Sequence, residues 1–244
     1  MKILSWNTHY GFTDKQYSAI MERFNDIDLF VIQEIKRTDF EYFQNKWKYK
    51  NWYGDDLENS RGLGVSVFSN TCKIEFTDEF NRNYRYVVPY KITTADNNIF
   101  VLFAVWTKSI PYDYVKNITN AISSPIYKNL LLENDIVIIG DYNVPYSEKN
   151  KEPYDKLIQN MEGFKNYFEG TEEEKKYTLC WETTKELFLA DYCFIKGSII
   201  SKIKMSEKTY DHIDVINKCM TEDEKSQKNW FASDHKPIII ELEI

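Results

Sequence analysis

The chain has 244 residues, with 31 Lys and Arg against 38 Asp and Glu, for a formal net charge of −7. That balance speaks against a dedicated non-specific nucleic-acid-binding module, which is usually basic, and leaves room for an enzyme with a local basic rim around an acidic pocket. Hydrophobic residues make up 43% of the chain, enough for a packed core, and the 16% aromatic share suits β-rich layers or a binding surface.

Cys72, Cys180, Cys193 and Cys219 show no C-x-x-C spacing and have no His beside them. This speaks against a zinc site or a disulfide framework. The cations are mostly Lys, with Arg only at 23, 37, 61, 82 and 85, so bidentate phosphate forks are few. Strand-like residues begin at Lys2, and no apolar run approaches the roughly 18 residues that span a bilayer. A cytoplasmic chain without a signal peptide, monomeric by default and not associated with membrane, is expected.

In chain order, KILSWNT (2–8) alternates and ends in polar residues, as a strand that delivers Asn7 to its tip. Residues 14–25 place Tyr17, Ile20, Met21 and Phe24 at helical spacing. LFVIQE (29–34) reads as a buried strand ending in Glu34, and 38–48 as an aromatic helix. GLGVSVFS (62–69), 72–77 and 84–94 read as strands, with Asp96-Asn97-Asn98 as the hairpin turn into IFVLFAVWT (99–107). Residues 112–133 read as helix with a break at Pro125. DIVIIGDYN (135–143) reads as a strand, 152–163 as helix and 170–177 as a charged loop. Short strands follow around 178–182, 189–196 and 198–204, then a polar loop over 206–229 and a last strand, KPIIIELE (236–243). Hairpins do not suit an all-parallel core, so two packed sheets with helices outside are expected.

One pattern recurs. Apolar strands end in WN at 6–7, QE at 33–34, GDYN at 140–143 and ADY at 190–192, and SDH at 233–235 precedes the last strand. Gly140 suggests a tight turn that sets Asp141 beside Asn143. If the tips converge, their oxygens form a hard-ligand cluster that selects Mg²⁺, Mn²⁺ or Ca²⁺ over zinc, because clustered like charges need a cation. Taken singly, each such residue is an ordinary turn or cap residue; the set in this order is what carries chemistry. Strand alternation points Tyr142 and Tyr192 away from that cleft, into packing roles.

On KILSWNT, VIQE, GLGVSVFS, IIGDYN, LADYCFI and SDHKPIII, spread from residue 2 to 240, the chain resembles the endonuclease/exonuclease/phosphatase superfamily. That superfamily includes exonuclease III-like nucleases, deoxyribonuclease I, sphingomyelinases and inositol polyphosphate 5-phosphatases. The resemblance implies one α+β domain over 1–244, a four-layer α/β/β/α sandwich of two mixed sheets flanked by helices. It implies Mg²⁺, with Mn²⁺ as the alternative, held by Glu34, with Asp234 supporting the metal or orienting His235. Asn7 then lies beside the metal or phosphate, Asp141 handles the attacking water, and Asn143 bonds a phosphate oxygen. Asp191 orients His235, whose charged form bonds the scissile phosphate.

Two positions depart from the family pattern. His9 stands where many family nucleases place an Asp, and Trp106 where the strand commonly ends in a phosphate-touching His or Tyr. His9, Trp106 and Lys108 are candidate substrate contacts, with a solvent-side loop position as the alternative for His9 and core packing as the alternative for Trp106. Lys36, Arg37 and Arg61 are candidates for a phosphate-guiding rim. His212 in YDHID reads as loop surface. The expected activity is a metal-dependent phosphodiesterase, a nuclease acting on DNA or RNA. The alternatives are a phosphomonoesterase, a phospholipid or inositol-phosphate hydrolase, or a binding protein that keeps the fold without catalysis.

Overall fold

The computed structural model describes residues 1–54, 62–84, 86–109, 113–180, 186–204 and 233–244. In chain order the elements begin β1 (Lys2–Asn7), α1 (Asp14–Arg23), β2 (Leu29–Lys36), α2 (Arg37–Phe43), β3 (Tyr49–Gly54), β4 (Leu63–Ser69), β5 (Lys73–Phe76) and β6 (Val87–Thr93). They continue β7 (Ile99–Trp106), α3 (Tyr114–Ile122), α4 (Lys128–Glu133), β8 (Ile136–Tyr146), α5 (Glu152–Asn160) and β9 (Lys165–Asn166). The last are β10 (Leu179–Cys180), β11 (Leu187–Lys196), β12 (Ile203–Lys204) and β13 (Ile238–Leu242).

One sheet has the order β12-β13-β1-β2-β4-β3, the other β10-β11-β8-β7-β6-β5 with β9 on β11. Both are mixed: β1 runs parallel to β2 and β7 parallel to β8, the other pairings being antiparallel.

Strand alternation separates three cores, and three cores between layers make a four-layer sandwich. Ile3, Leu29, Val31, Leu102, Ala104, Val137, Ile139, Cys193 and Ile195 meet between the sheets. Leu4, Trp6, Phe30 and Ile32, one residue out of phase, pack with Ile20 of α1, Phe24 at its C-terminal cap and Phe43 of α2. On the far side Phe103, Val105, Ile138, Tyr142, Tyr192 and Phe194 meet Val115 and Ile118 of α3, Leu130 and Leu131 of α4, and Leu157 of α5. The two tyrosines therefore pack away from the inter-sheet space, as alternation predicts.

Helix ends follow local chemistry. Thr13 caps α1 in a reciprocal capping box with Gln16, and Asp113 caps α3. The expected break at Pro125 is a 3-10 turn, Pro125–Tyr127, between α3 and α4.

Some expectations need correction. The helix expected over 38–48 ends at Phe43 and continues as a 3-10 turn. The strand β3 was not foreseen; it is a half-exposed edge strand whose aromatic and polar residues lack clean alternation. The strand expected from 84 starts at Val87, because Tyr84 sits in a turn closed by Asn81 O and followed by Tyr86 at φ 63. Residues 198–202 form a 3-10 turn instead of strand: Asp135 binds both Ser198 Oγ (2.7 Å) and Ile199 N (3.2 Å) just after Gly197. The expected loop 206–229, with His212, lies outside the described residues.

Candidate active site

The inter-sheet core ends, at one end of the sandwich, in polar side chains of the same parity. Ser5 and Asn7 continue the row of Ile3, and Asp141 continues Val137 and Ile139. Trp106, Asp141 and Asp191 are direct partners across β7, β8 and β11, so they form one rung. Gly140 is not in a turn as expected; it sits inside β8 at φ +149, where a Cβ would lie 2.0 Å from Val105 O. Only glycine lets β7 and β8 close at the Val105–Gly140 pair, one step before that rung.

Asn7 joins the two sheets. Its Nδ2 donates to Glu34 Oε1 (3.1 Å) and to Asp141 Oδ2 (2.9 Å), while its Oδ1 accepts from His9 N at 3.0 Å. Glu34 reaches this point because β2 has a bulge there: its φ is 57 and the register shifts between Gln33 and Ile35. The bulge reverses the alternation, sending Ile35 into the helix-side core with Ile32 and re-aiming Glu34. Glu34 Oε2 is buried and makes no hydrogen bond among the described residues.

Asp141 is fully buried. Its Oδ1 accepts from Asn143 N (2.7 Å) and its Oδ2 from Asn143 Nδ2 (2.9 Å). Asn143 has a φ of 48, inside the second irregularity, where three extra β8 residues oppose β11 between Leu189 and Asp191. Its Nδ2 also meets Thr107 O at 3.1 Å. Burial pushes the Asp141 carboxyl up to about 7, and the Asp191 charge adds to this against the opposing pull of His235.

His235 and Asp191, 44 residues apart, are joined by a 2.9 Å bond from Nδ1 to Oδ2, both side chains buried. The segment before β13 is held by Ser233 Oγ donating to Asn7 O (2.5 Å) and by Trp6 Nε1 donating to His235 O (2.9 Å). Thr178 Oγ accepts from Asp191 N at 3.1 Å. His235 Nε2 lies 3.9 Å from both Asp141 Oδ2 and Asp234 Oδ1, beyond hydrogen-bond reach of either. Burial alone would lower the imidazole pKa, but Asp191, then Asp141 and Asp234, raise it to about 10.

This has a consequence for stability. A group raised from 6.5 to about 10 on folding contributes stability fully below pH 6.5 and loses it as pH climbs towards 10. The gap in unfolding free energy between wild type and His235→Asn is therefore expected to narrow from pH 6.5 to 10. Urea titrations at several pH values check it; a constant gap refutes it.

Asp234 Oδ1 sits 3.0 Å from His9 Nδ1, with His9 at φ 50. Burial pushes the Asp234 pKa up, but the His9 hydrogen bond and the charges of His235 and His9 hold it below its ordinary value. Trp106 is buried against Tyr86, ring centroids 4.7 Å apart, with Lys108 Nζ 4.1 Å from the indole centroid. It thus packs in the inter-sheet core while bordering Asp141 on the rung. Thr107 Oγ is committed to Tyr142 O.

Lys36 and Arg37 are exposed, Arg37 pairing with Glu41 at 3.1 Å, and Arg61 lies outside the described residues. The structure thus brings together Asn7, His9, Glu34, Asp141, Asn143, Asp191, Asp234 and His235. Sequence reasoning missed the supports Thr178, Ser233 and Trp6, whose roles depend on contacts far apart in the chain.

No family model matches the sequence and no curated protein matches it. Solved structures do match. An endonuclease/exonuclease/phosphatase family protein from Bacteroides thetaiotaomicron is 12% identical, with a TM-score of 0.61 over 98% of this chain and 96% of that one. A mannosyl-6-phosphatase from the same organism is 12% identical (TM-score 0.62, all of both chains). An AP endonuclease from Archaeoglobus fulgidus is 14% identical (TM-score 0.61, all of both chains). The chain has the fold of the endonuclease/exonuclease/phosphatase superfamily.

Proposed function

We propose that the protein is a metal-dependent phosphoester hydrolase, and that its substrates are nucleic-acid phosphodiesters. The observation that carries the reading is His235, charged by buried Asp191 and set between Asp141 and Asp234 at the end of the inter-sheet core. An imidazolium so placed stabilises the charge that builds on a phosphate under attack. Asp191 fixes which nitrogen faces the substrate. Asp141, with its raised pKa, is suited to take a proton from the attacking water. Asn143 holds Asp141 in place through its backbone N and its Nδ2, whose second proton goes to Thr107 O, so it acts by positioning that carboxylate.

The donor set fits a hard divalent cation. Glu34 Oε2 is buried without a hydrogen-bond partner among the described residues, its Oε1 shares Asn7 Nδ2 with Asp141, and hard oxygen ligands favour Mg²⁺ or Mn²⁺. Asp141, Asp191 and His235 also have ligand atoms within 4.8 Å of one another. However, the Asp191–His235 bond engages Asp191 Oδ2 and His235 Nδ1, and a charged imidazolium has no lone pair for a metal. The amides of Asn7 and Asn143 occupy Asp141 Oδ2, which leaves Asp191 Oδ1 as the one carboxylate oxygen of this group without a hydrogen-bond partner among the described residues. We therefore assign the cation to Glu34, with Asp234 as the second candidate ligand. When bound it would supply charge stabilisation to the phosphate and the leaving oxygen.

Glu34→Gln is expected to weaken Mg²⁺ and Mn²⁺ binding at least tenfold while the fold survives; isothermal titration of both proteins checks it, and unchanged affinity in a folded variant rejects the assignment. The activity itself is tested by a metal-supplemented panel of single- and double-stranded DNA, abasic DNA, RNA, inositol phosphates and sugar phosphates, with His235→Ala as blank. Cleaved oligonucleotide supports the proposal. Free phosphate from monoesters alone replaces it with a phosphatase, the reading that the mannosyl-6-phosphatase neighbour favours. No product with any substrate leaves a binding protein on this fold.

A further inference from the structure

The loop after β1 is pinned at both ends. Thr8 N and Oγ both donate to Gln33 O (3.1 and 3.0 Å), and Gln16 Nε2 donates to Thr8 O at 3.1 Å. On the other side Phe12 N donates to Asp39 Oδ2 at 2.9 Å, and its ring is buried against Phe43 and Tyr17. Between these anchors His9 and Tyr10 both adopt left-handed backbone, φ 50 and 68, a conformation that costs energy for residues with a side chain. The outcome is an aromatic ring on a fixed pedestal that is 42% exposed, although Phe12, two residues on, is in the core.

That ring borders the site. Its centroid is 4.4 Å from that of His9, whose Nδ1 is 3.0 Å from Asp234 Oδ1, and this oxygen is 3.9 Å from His235 Nε2. A solvent-facing aromatic beside a phosphate site suits a substrate whose phosphate is attached to another flat ring. Local strain held in place by surrounding bonds is a pointer to function.

We infer that Tyr10 is a stacking platform for a nucleobase next to the scissile phosphate, so that it helps to set the substrate class as single-stranded or unpaired nucleic acid. The inference deepens the proposed function and rests on the same site. Stacking on an aromatic side chain accepts any base and needs no hydrogen-bond readout. It therefore adds affinity without sequence preference, which matters in a chain whose net charge of −7 gives little general attraction to a polyanion.

The test reads binding without turnover. Fluorescence anisotropy in EDTA would compare labelled oligothymidylate with an abasic oligomer of the same length. Wild type is expected to prefer the thymidylate, and Tyr10→Ala to weaken it by roughly tenfold while binding the abasic oligomer unchanged. Tyr10→Phe and Tyr10→Trp should keep the preference. Equal losses on both oligomers, no loss on either, or no base preference in wild type overturns the inference. A wild-type chain that shows the Tyr10-dependent preference yet cleaves nothing in the metal-supplemented panel overturns the hydrolytic reading instead, so the two failures are distinct.

Discussion

Asp191→Asn is expected to lower kcat by about a thousandfold or more while KM changes little. His235 is in an environment that by itself disfavours its charged form, and the Asp191 carboxylate at 2.9 Å is the first influence to reverse that. An amide in its place keeps the shape, loses the charge and permits the wrong tautomer. Nε2 then faces a developing negative charge without a reliable proton. Because the interaction strengthens as charge builds, the loss falls on turnover more than on binding. The two residues act as one unit, so Asp191→Asn/His235→Asn should lose little more than either single variant. Steady-state kinetics on the same substrate complete the cycle. Losses that add fully in log kcat would show that the side chains work separately, despite their contact.

The architecture was legible where pattern and period agree. KILSWNT, LFVIQE and IFVLFAVWT form strands within a residue or two of expectation, because each is apolar, short and bounded by turn chemistry. The pairing of Asp191 with His235 was also legible, though only through resemblance: nothing local in ADY or SDH points one at the other. The less legible parts are those where the chain breaks its own alternation. Glu34 reaches the site through a bulge that reverses strand parity, and simple alternation from Val31 and Gln33 would send it to the helix side. Asn143 depends in the same way on a left-handed residue inside β8. Irregularities of this kind re-aim side chains at functional sites, and their cost is met by tertiary contacts that no local window contains. β3 was missed for a simpler reason: YKNWYG is an edge strand, half-exposed along most of its length, so neither face gives a clean apolar row.

Gly140→Ala is expected to be strongly destabilising. The sequence suggests a turn glycine, for which alanine would cost only local strain. The structure puts Gly140 inside β8, paired with Val105 of parallel β7 and with Tyr192 of β11. An added Cβ would sit 2.0 Å from Val105 O and 2.8 Å from its carbonyl carbon, on backbone at φ +149. Neither atom belongs to a flexible side chain, so relief requires separation of two central strands. Strain at such a backbone conformation and overpacking each cost about 1–3 kcal/mol; together they predict a loss of about 4 kcal/mol, or roughly 8–16 °C in Tm for a chain of this size. The site shares the damage. Moving β7 off β8 breaks the Thr107 N to Asp141 O bond, 3.0 Å long, and shifts Trp106 away from Asp141 on their common rung. Well below the new Tm, the folded variant should therefore still show reduced kcat. Thermal unfolding followed by circular dichroism, with kinetics at 15 °C, separates the two effects. A Tm within about 2 °C of wild type would show that β7 and β8 are not held as close as the Val105–Gly140 contact requires.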